Sequence, residues 1–566
     1  MRKRLSAATN AAMLLLSLAL AGCAPEPAGV AHAPKAVPGS AGLAGSIVAM
    51  RRLTEAQYRN IIADVFGEDI KVGGRFDPIV RPDHGLVATG ASVAVLSAAG
   101  FEQFDAMARD IASQALDARH RDLFLSCRPV NAAKADPGCA RRFFERVGAI
   151  LFRRPLASPE IGYYADLAGL ATGQLGDFDK GLELGLAAML VSPQFLSWVE
   201  TATPGAAQLD SYSKAARLSA VLWDTGPDAA LTEAARSGAI DTPEGLRSQV
   251  ERMMTSPRFE RGTRAFFADF LQLDRVDDVA KDPLVYPRFT SGTAPDFREQ
   301  TLRTVVDHLI VRNEPYPQLF TDRRTFLNRR LGLIYGVPVA RANGWEAQDL
   351  PQDSDRVGLL GQGAFLALFS HEGRSSPTLR GRAIREVLMC QPVPNPPANV
   401  DFSGFNDTSN AERKTARQRL DHHTNDPVCA GCHRITDPLG LPLERYDGIG
   451  AARTTENGAP INAGGTFEGK AFDGLSGLSR LMAESSAPRE CVARRAVEYA
   501  SGRTSDKISG SWIDAVVDTF KAGDYRYRAL IRAVVLSPQF FSVSAEDPMP
   551  APTHIAQARN DIGKVR

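Results

Sequence analysis

From Leu53 onward the apolar positions recur at helical spacing. Leu53, Tyr58, Ile61, Ile62 and Val65 form the first face, and Thr54 and Gln57, three residues apart, stand where a capping box would open the helix. Leu53 and Tyr58 are placed as a hydrophobic staple across that start, and Gly67 closes the run. Ser158-Pro159-Glu160 and Thr242-Pro243-Glu244 predict further starts, each with a capping oxygen ahead of a proline at the first helical position. Helices are therefore expected to dominate from 48 to about 390. A short phrase recurs as Ser192-Pro193-Gln194-Phe195, Ser256-Pro257-Arg258-Phe259 and Ser537-Pro538-Gln539-Phe540. Each copy ends an apolar face and reads as a corner between helices with a buried phenylalanine; the irregular spacing argues against a solenoid.

The pattern changes after Gly361. Residues 391–406, opening Gln391-Pro392-Val393-Pro394-Asn395-Pro396-Pro397, cannot form a regular helix and predict a stiff extended connection. The segment around Cys429 reads as loop-rich, Thr466–Phe472 as a small hairpin, and helices return from about Leu475 and Cys491. The stretch from 546 on reads as a disordered tail.

The first residues read as an address. Arg2-Lys3-Arg4 precede an uncharged apolar run from Ala11 to Leu20, too short for the roughly 20 residues that span a bilayer and suited to a secretory signal. The run ends Leu20-Ala21-Gly22-Cys23, which resembles the bacterial lipobox, with Cys23 as the lipid-bearing residue of the mature chain. Ala24 follows it, and in bacterial lipoproteins that resemblance points to the outer membrane. Residues 23–48, rich in Ala, Pro and Gly, then form a flexible tether. Membrane association is expected through the lipid alone.

Charge narrows the class further. Lys plus Arg number 66 against 65 for Asp plus Glu, giving a net +1, so nucleic acid has no electrostatic footprint to meet. No G-x-S-x-G, G-x-x-x-x-G-K-[ST] or H-E-x-x-H pattern occurs, so serine-hydrolase, P-loop and zinc-protease readings have no local support.

Cysteine arithmetic supplies the chemistry. Seven cysteines occur, and if Cys23 takes lipid six remain. Cys429-Ala430-Gly431-Cys432-His433 has the C-x-x-C-H spacing of covalent haem attachment: two thioethers fix a porphyrin edge while the adjacent imidazole reaches iron. The other four cysteines then pair as Cys127 with Cys139 and Cys390 with Cys491, as export into an oxidising compartment favours. Two other readings of the motif are structural zinc, held with one or two of His422, His423 and His433, and a plain Cys429–Cys432 disulfide. With haem c present, Met482, His423 and His371, in that order, are candidates for the sixth iron ligand; Met482 also reads as core beside Leu475, Leu478 and Leu481. Asp437, Glu444, Asp447 and Arg453 stand near the motif either as substrate or proton groups or, as such sets more often do, as builders of turns and ion pairs.

Several motifs carry a family resemblance. Arg52-Leu53-Thr54 with Tyr58, Asn60 and Asp64; Phe152-Arg153-Arg154-Pro155-Leu156; Leu218-Ser219-Ala220-Val221-Leu222-Trp223; Ser376-Pro377-Thr378-Leu379-Arg380-Gly381; Cys429 to His433 with Asp437-Pro438; and Gly502-Arg503 occur in this order. Together they resemble the large secreted planctomycete-type and myxobacterial proteins built from domains of unknown function 1587, 1595, 1592, 1588 and 1585. The resemblance spans nearly all of 48–543. It implies an exported, cytochrome-c-like protein with one covalent haem in its fourth domain, and it implies no reaction. By position, Cys390 and Cys491 match cysteines that flank that domain's motif.

The expected fold is thus mainly α, a multi-module helical body with a C-terminal loop-rich, cytochrome-c-like haem domain. The divisions are a signal peptide at 1–22, the tether at 23–48, helical modules at 49–120, 121–205 (with the first disulfide loop) and 206–350, the haem module at 355–460, a C-terminal helical module at 461–545 and the tail at 546–566. The expected role is single-electron transfer to a redox partner protein at the periplasm or cell surface. The alternatives are a haem peroxidase or oxidase with an open sixth site, and a surface binding or scaffold protein in which haem or zinc is incidental.

Overall fold

The computed structural model describes residues 47–395, 413–424 and 427–543; the side chains of 422–424 and 427–428 are not described. The signal peptide, Cys23, nearly all of the tether, most of the extended connection and the tail lie outside these residues. Helices predominate, and the sheet structure among the described residues amounts to four two-stranded antiparallel ribbons. No described helix is long and apolar enough to cross a membrane.

The first helix, Glu55–Phe66, opens as its sequence dictates. Gln57 N donates to Thr54 Oγ1 and Thr54 N donates to Gln57 Oε1, each at 3.2 Å, closing the capping box. Gln57 Oε1 also accepts from Trp198 Nε1 at 2.9 Å, so the cap is welded to a residue 141 positions away. Leu53 and Tyr58 are buried, and Tyr58 sits among Phe76, Phe104 and Phe195 with ring centroids 5.2–5.7 Å apart. Thr242 caps the helix Pro243–Thr255 through Gly245 N.

Three expectations are corrected. Ile47 and Val48 are not tether: they begin a strand, Ile47–Arg52, paired antiparallel with Ser197–Thr201. That pairing is made between segments some 150 residues apart, so local periodicity could not announce it. Ser158 does not cap its helix. It is the first helical residue after Ala157, which has no capping oxygen, and Glu160 folds back to accept from Ala157 N at 2.8 Å, the one half of a capping box present there. The segment around Cys429 is not loop-rich but helical from Pro427 to Gly440, with Pro438 inside it.

Two hydrophobic cores result. One joins Leu53–Phe66 to the helices Ala98–Ala115, Pro137–Leu151, Ser158–Leu175 and Phe178–Leu190. The other runs from Leu86 to Phe541 and includes residues of the central, motif-bearing and C-terminal segments, for example Phe266, Leu443, Met482 and Tyr527. The Phe of each recurring corner is buried: Phe195, Phe259 and Phe540. Arg217 links the cores, donating to Glu200 Oε1 at 2.7 Å and to the Phe540 carbonyl. Burial opposes the Glu200 charge, but Arg217 outweighs it and holds the carboxyl below its usual range.

Candidate functional site: a C-x-x-C-H helix braced by a second helix

The motif helix, Pro427–Gly440, is held by a short helix, Pro377–Ala383, and the phrase Ser376-Pro377-Thr378-Leu379-Arg380-Gly381 explains how. Ser376 caps, accepting from Leu379 N at 3.3 Å, and Pro377 occupies the first turn. Backbone meets backbone at two glycines. A Cβ on Gly440 would fall 1.7 Å from the Pro377 carbonyl oxygen, and one on Gly381 would fall 1.9 Å from that of Thr436. Only glycine permits this approach, which keeps the region helical despite Gly431 and Pro438.

Arg380 fixes the chain that follows. Fully buried, it donates to the carbonyls of Leu443 (2.8 Å), Tyr446 (2.8 Å), Leu366 (3.0 Å) and Asp447. Burial lowers its pKa to about 10, even with Glu444 nearby. Glu444 is buried beside it, and its Oε2 accepts from Ser375 Oγ and from Arg453, each at 2.7 Å. Burial pushes the Glu444 carboxyl above its ordinary range in spite of Arg380 and Arg453. Asp447 Oδ1 caps a turn through Ile449 N and Ala451 N at 2.9 and 2.8 Å. Glu444, Asp447 and Arg453 therefore build turns and ion pairs. Arg356, over the rings of Tyr335 (4.1 Å) and Tyr446 (4.4 Å), ties the same region to the central helices.

Within the motif, Cys429 and Cys432 carry thiols rather than a mutual disulfide, and both are half-buried. Cys432 Sγ lies 3.6 Å from the Pro394 carbonyl oxygen, where the extended connection begins. His433 Nδ1 is 2.8 Å from Asp437 Oδ2, one helical turn on. Asp437 is buried, and its Oδ1 accepts from Thr378 Oγ1 (2.9 Å) and Thr436 Oγ1 (3.2 Å). The sequence names Asp437 as a nearby acid but does not name it as the partner of His433. The signal is the i, i+4 spacing, legible only once the segment is known to be helical.

This donor set fits covalent haem. Two thiols one helical turn apart suit thioether attachment, and with Nδ1 committed to Asp437 an iron would meet His433 at Nε2. Among the described residues the one group of three or more His, Cys, Asp and Glu with ligand atoms within 4.8 Å of each other is His308, Glu314 and Asp322, far from the motif in sequence; the side chains of His422 and His423, on which the zinc reading draws, lie outside the described residues. That trio is bound up with Arg312, which donates to Asp322 and Glu314.

The three sixth-ligand candidates fall in different surroundings. Met482, on the helix Gly474–Glu484, is wholly buried in the large core beside Leu475, Leu478 and Leu481. His371 lies in a tight turn, its N–H donating to the Arg374 carbonyl and its own carbonyl accepting from Lys281 Nζ, each at 2.9 Å. Partial burial, then Arg374 and Lys281, lower its pKa. The side chain of His423 lies outside the described residues.

Comparison with protein families gives five matches in chain order: proteins of unknown function DUF1587 over residues 51–117, DUF1595 over 139–200, DUF1592 over 209–337, DUF1588 over 356–456 and DUF1585 over 468–540. The chain belongs to the family built from these five domains. No curated protein and no solved structure matches it.

The DUF1588 segment holds both the motif helix and its brace, and the Cys390–Cys491 disulfide bonds the stretch just after the brace to the DUF1585 segment. The second disulfide, Cys127–Cys139, closes its predicted loop ahead of the DUF1595 helices. Where the DUF1587 helix Glu55–Phe66 faces the DUF1592 helices, a cleft of about 1060 Å³ opens, lined among others by Asn60, Asp224, Arg258 and Arg261. Asp224 was not legible as special in the sequence. It is buried, in the left-handed region at φ 54°, and accepts from Asn60 Nδ2 at 3.1 Å. Burial raises its pKa to about 7, opposed by hydrogen bonds from Gln57 and Asn60 and by Arg261.

Proposed function

We propose that this chain is an exported, lipid-anchored c-type haem protein that passes single electrons, with Cys429 and Cys432 holding one haem covalently and His433 as its proximal ligand. The bound haem supplies a one-electron Fe(III)/Fe(II) couple. The observation that carries the reading is the C-x-x-C-H helix, with its two cysteines one turn apart and an imidazole held at Nδ1 by a buried carboxylate. The brace keeps this helix fixed, which limits reorganisation around a redox centre. Cys23 anchors the mature chain by lipid, facing the periplasm or the cell surface, and the electron partner is another redox protein.

The test is expression in a host that matures c-type cytochromes, followed by a pyridine haemochrome spectrum and mass spectrometry of the mature protein. One covalent haem per chain and an acylated N-terminal Cys23 are expected, with haem lost in Cys429→Ser/Cys432→Ser. A colourless protein, or one holding zinc through these cysteines, would refute the haem assignment.

A second reading, a haem enzyme with an open sixth site, draws support from the Asp437–His433 pair, since a carboxylate behind the proximal imidazole strengthens its donation to iron. Carbon monoxide separates the two. Ready binding to the reduced protein favours the enzyme, and no spectral change favours the carrier.

A further inference from the structure

We infer that Asp437 is the positioning residue that sets the donor strength of His433 and so holds the iron toward its ferric state. The inference deepens the haem reading and rests on it. Three contacts converge on this one carboxylate. Its Oδ2 takes the hydrogen bond of His433 Nδ1 at 2.8 Å, which fixes the ring's orientation and tautomer. Its Oδ1 takes Thr378 Oγ1 from the bracing helix at 2.9 Å and Thr436 Oγ1 at 3.2 Å, and Thr436 Oγ1 also donates to the Cys432 carbonyl at 3.0 Å. The side chain of Asp437 is only 4% exposed, so the carboxylate cannot swing out to water and its field on the imidazole is little screened.

The chemical consequence follows from general ligand behaviour. A carboxylate drawing on the Nδ1 proton leaves more electron density at Nε2, and a more basic imidazole stabilises Fe(III) over Fe(II). Nothing in this requires the haem to be catalytic; it sets a potential. The design spans two helices: Thr378 belongs to the brace, while His433, Thr436 and Asp437 belong to the motif helix. The contacts that hold the helices together therefore also hold the carboxylate that tunes the ligand.

The experiment is spectroelectrochemical titration of the full-length haem-loaded protein and its Asp437→Asn variant, after haemochrome assay shows one covalent haem in each. Removing the charge while keeping the shape is expected to shift the ferric/ferrous equilibrium at least tenfold toward ferrous iron, a rise of 59 mV or more for one electron. The Fe–His stretch of the reduced protein, read by resonance Raman where five-coordinate, should fall in the same variant. Leu439→Ala loosens the same helix but leaves the carboxylate and should keep the equilibrium within twofold of wild type. If Asp437→Asn does not mature, Thr378→Val is titrated instead; it strips a donor that draws on the carboxylate's charge, leaves a stronger acceptor for the Nδ1 proton, and should move the equilibrium the other way, toward ferric iron. An unchanged potential in a haem-replete Asp437→Asn or, in its place, Thr378→Val protein overturns the inference while leaving the haem reading intact. An equal shift in Leu439→Ala overturns it too. Absence of haem from the wild type fells the underlying reading instead.

Discussion

Arg380→Met is the most demanding test of how the site is held. The substitution keeps an unbranched side chain of similar reach but removes the guanidinium from four carbonyls, those of Leu366, Leu443, Tyr446 and Asp447. The Leu443 and Asp447 carbonyls keep backbone donors in Tyr446 N and Gly450 N, and each carbonyl that is left buried without a donor costs on the order of 1–3 kcal/mol, less whatever relaxation recovers. Glu444, whose Oε1 lies 3.5 Å from Arg380, keeps Arg453 and the Ser375 hydroxyl on its Oε2. Breaking a buried pair by removing one partner costs about 3–5 kcal/mol, which we take as the expected loss. That is a large part of the 5–15 kcal/mol typical of a folded protein. The assay is urea denaturation at fixed pH, followed by far-ultraviolet circular dichroism and by retention of the Cys390–Cys491 bond. Adding Glu444→Gln should return about 1 kcal/mol or more, since the stranded charge is then gone. The pH dependence has a definite sign. Burial already raises the Glu444 pKa, and losing a cation raises it further above its unfolded value, so the deficit of Arg380→Met should be smallest below about pH 4 and grow as pH rises through the folded value. An Arg380→Met protein within 1 kcal/mol of wild type at pH 7, or a double variant at the simple sum, would refute this account.

Gly440→Ala should cost about 3 kcal/mol or more and lower haem yield, because its Cβ would meet the Pro377 backbone, whereas Gly431→Ala, with nothing within 4 Å, should be neutral or slightly stabilising; thermal melts and haemochrome yield compare them. Asp224→Asn tests the cleft between the DUF1587 and DUF1592 segments. A folded pKa of about 7 means the wild type loses stability, by about 3 kcal/mol, as pH rises from 5 to 8, and the variant should lose much less across that window in paired denaturation curves. Asparagine also tolerates the left-handed backbone at this position. Replacing Cys390 and Cys491 by serine opens a 101-residue loop and should lower stability by about 4 kcal/mol, read as a drop in denaturation midpoint that reductant reproduces in the wild type.

Much of this protein was legible in residues that act locally. The Thr54–Gln57 box, the Thr242 cap, the buried phenylalanines of the three Ser-Pro corners, the hairpin near Thr466–Phe472 and both disulfide pairings follow from side chains acting over short spans or from parity of the cysteines. The C-x-x-C-H motif announced itself because its chemistry demands adjacency. What eluded the sequence depends on distant partners. The strand Ile47–Arg52 exists because Ser197–Thr201 accepts it, and Asp224 is unusual only because burial between helices removes its water. Gly431 and Pro438 argued for loop around Cys429, yet the chain is helical there because Gly381 and Gly440 let two backbones touch and Arg380 satisfies the carbonyls beyond. That helix alone brings Asp437 beneath His433. Sequence by itself set Cys429, Cys432 and His433 side by side; tertiary packing decided which carboxylate stands behind His433, because a hydrogen bond across one helical turn forms only when the rest of the fold makes that turn.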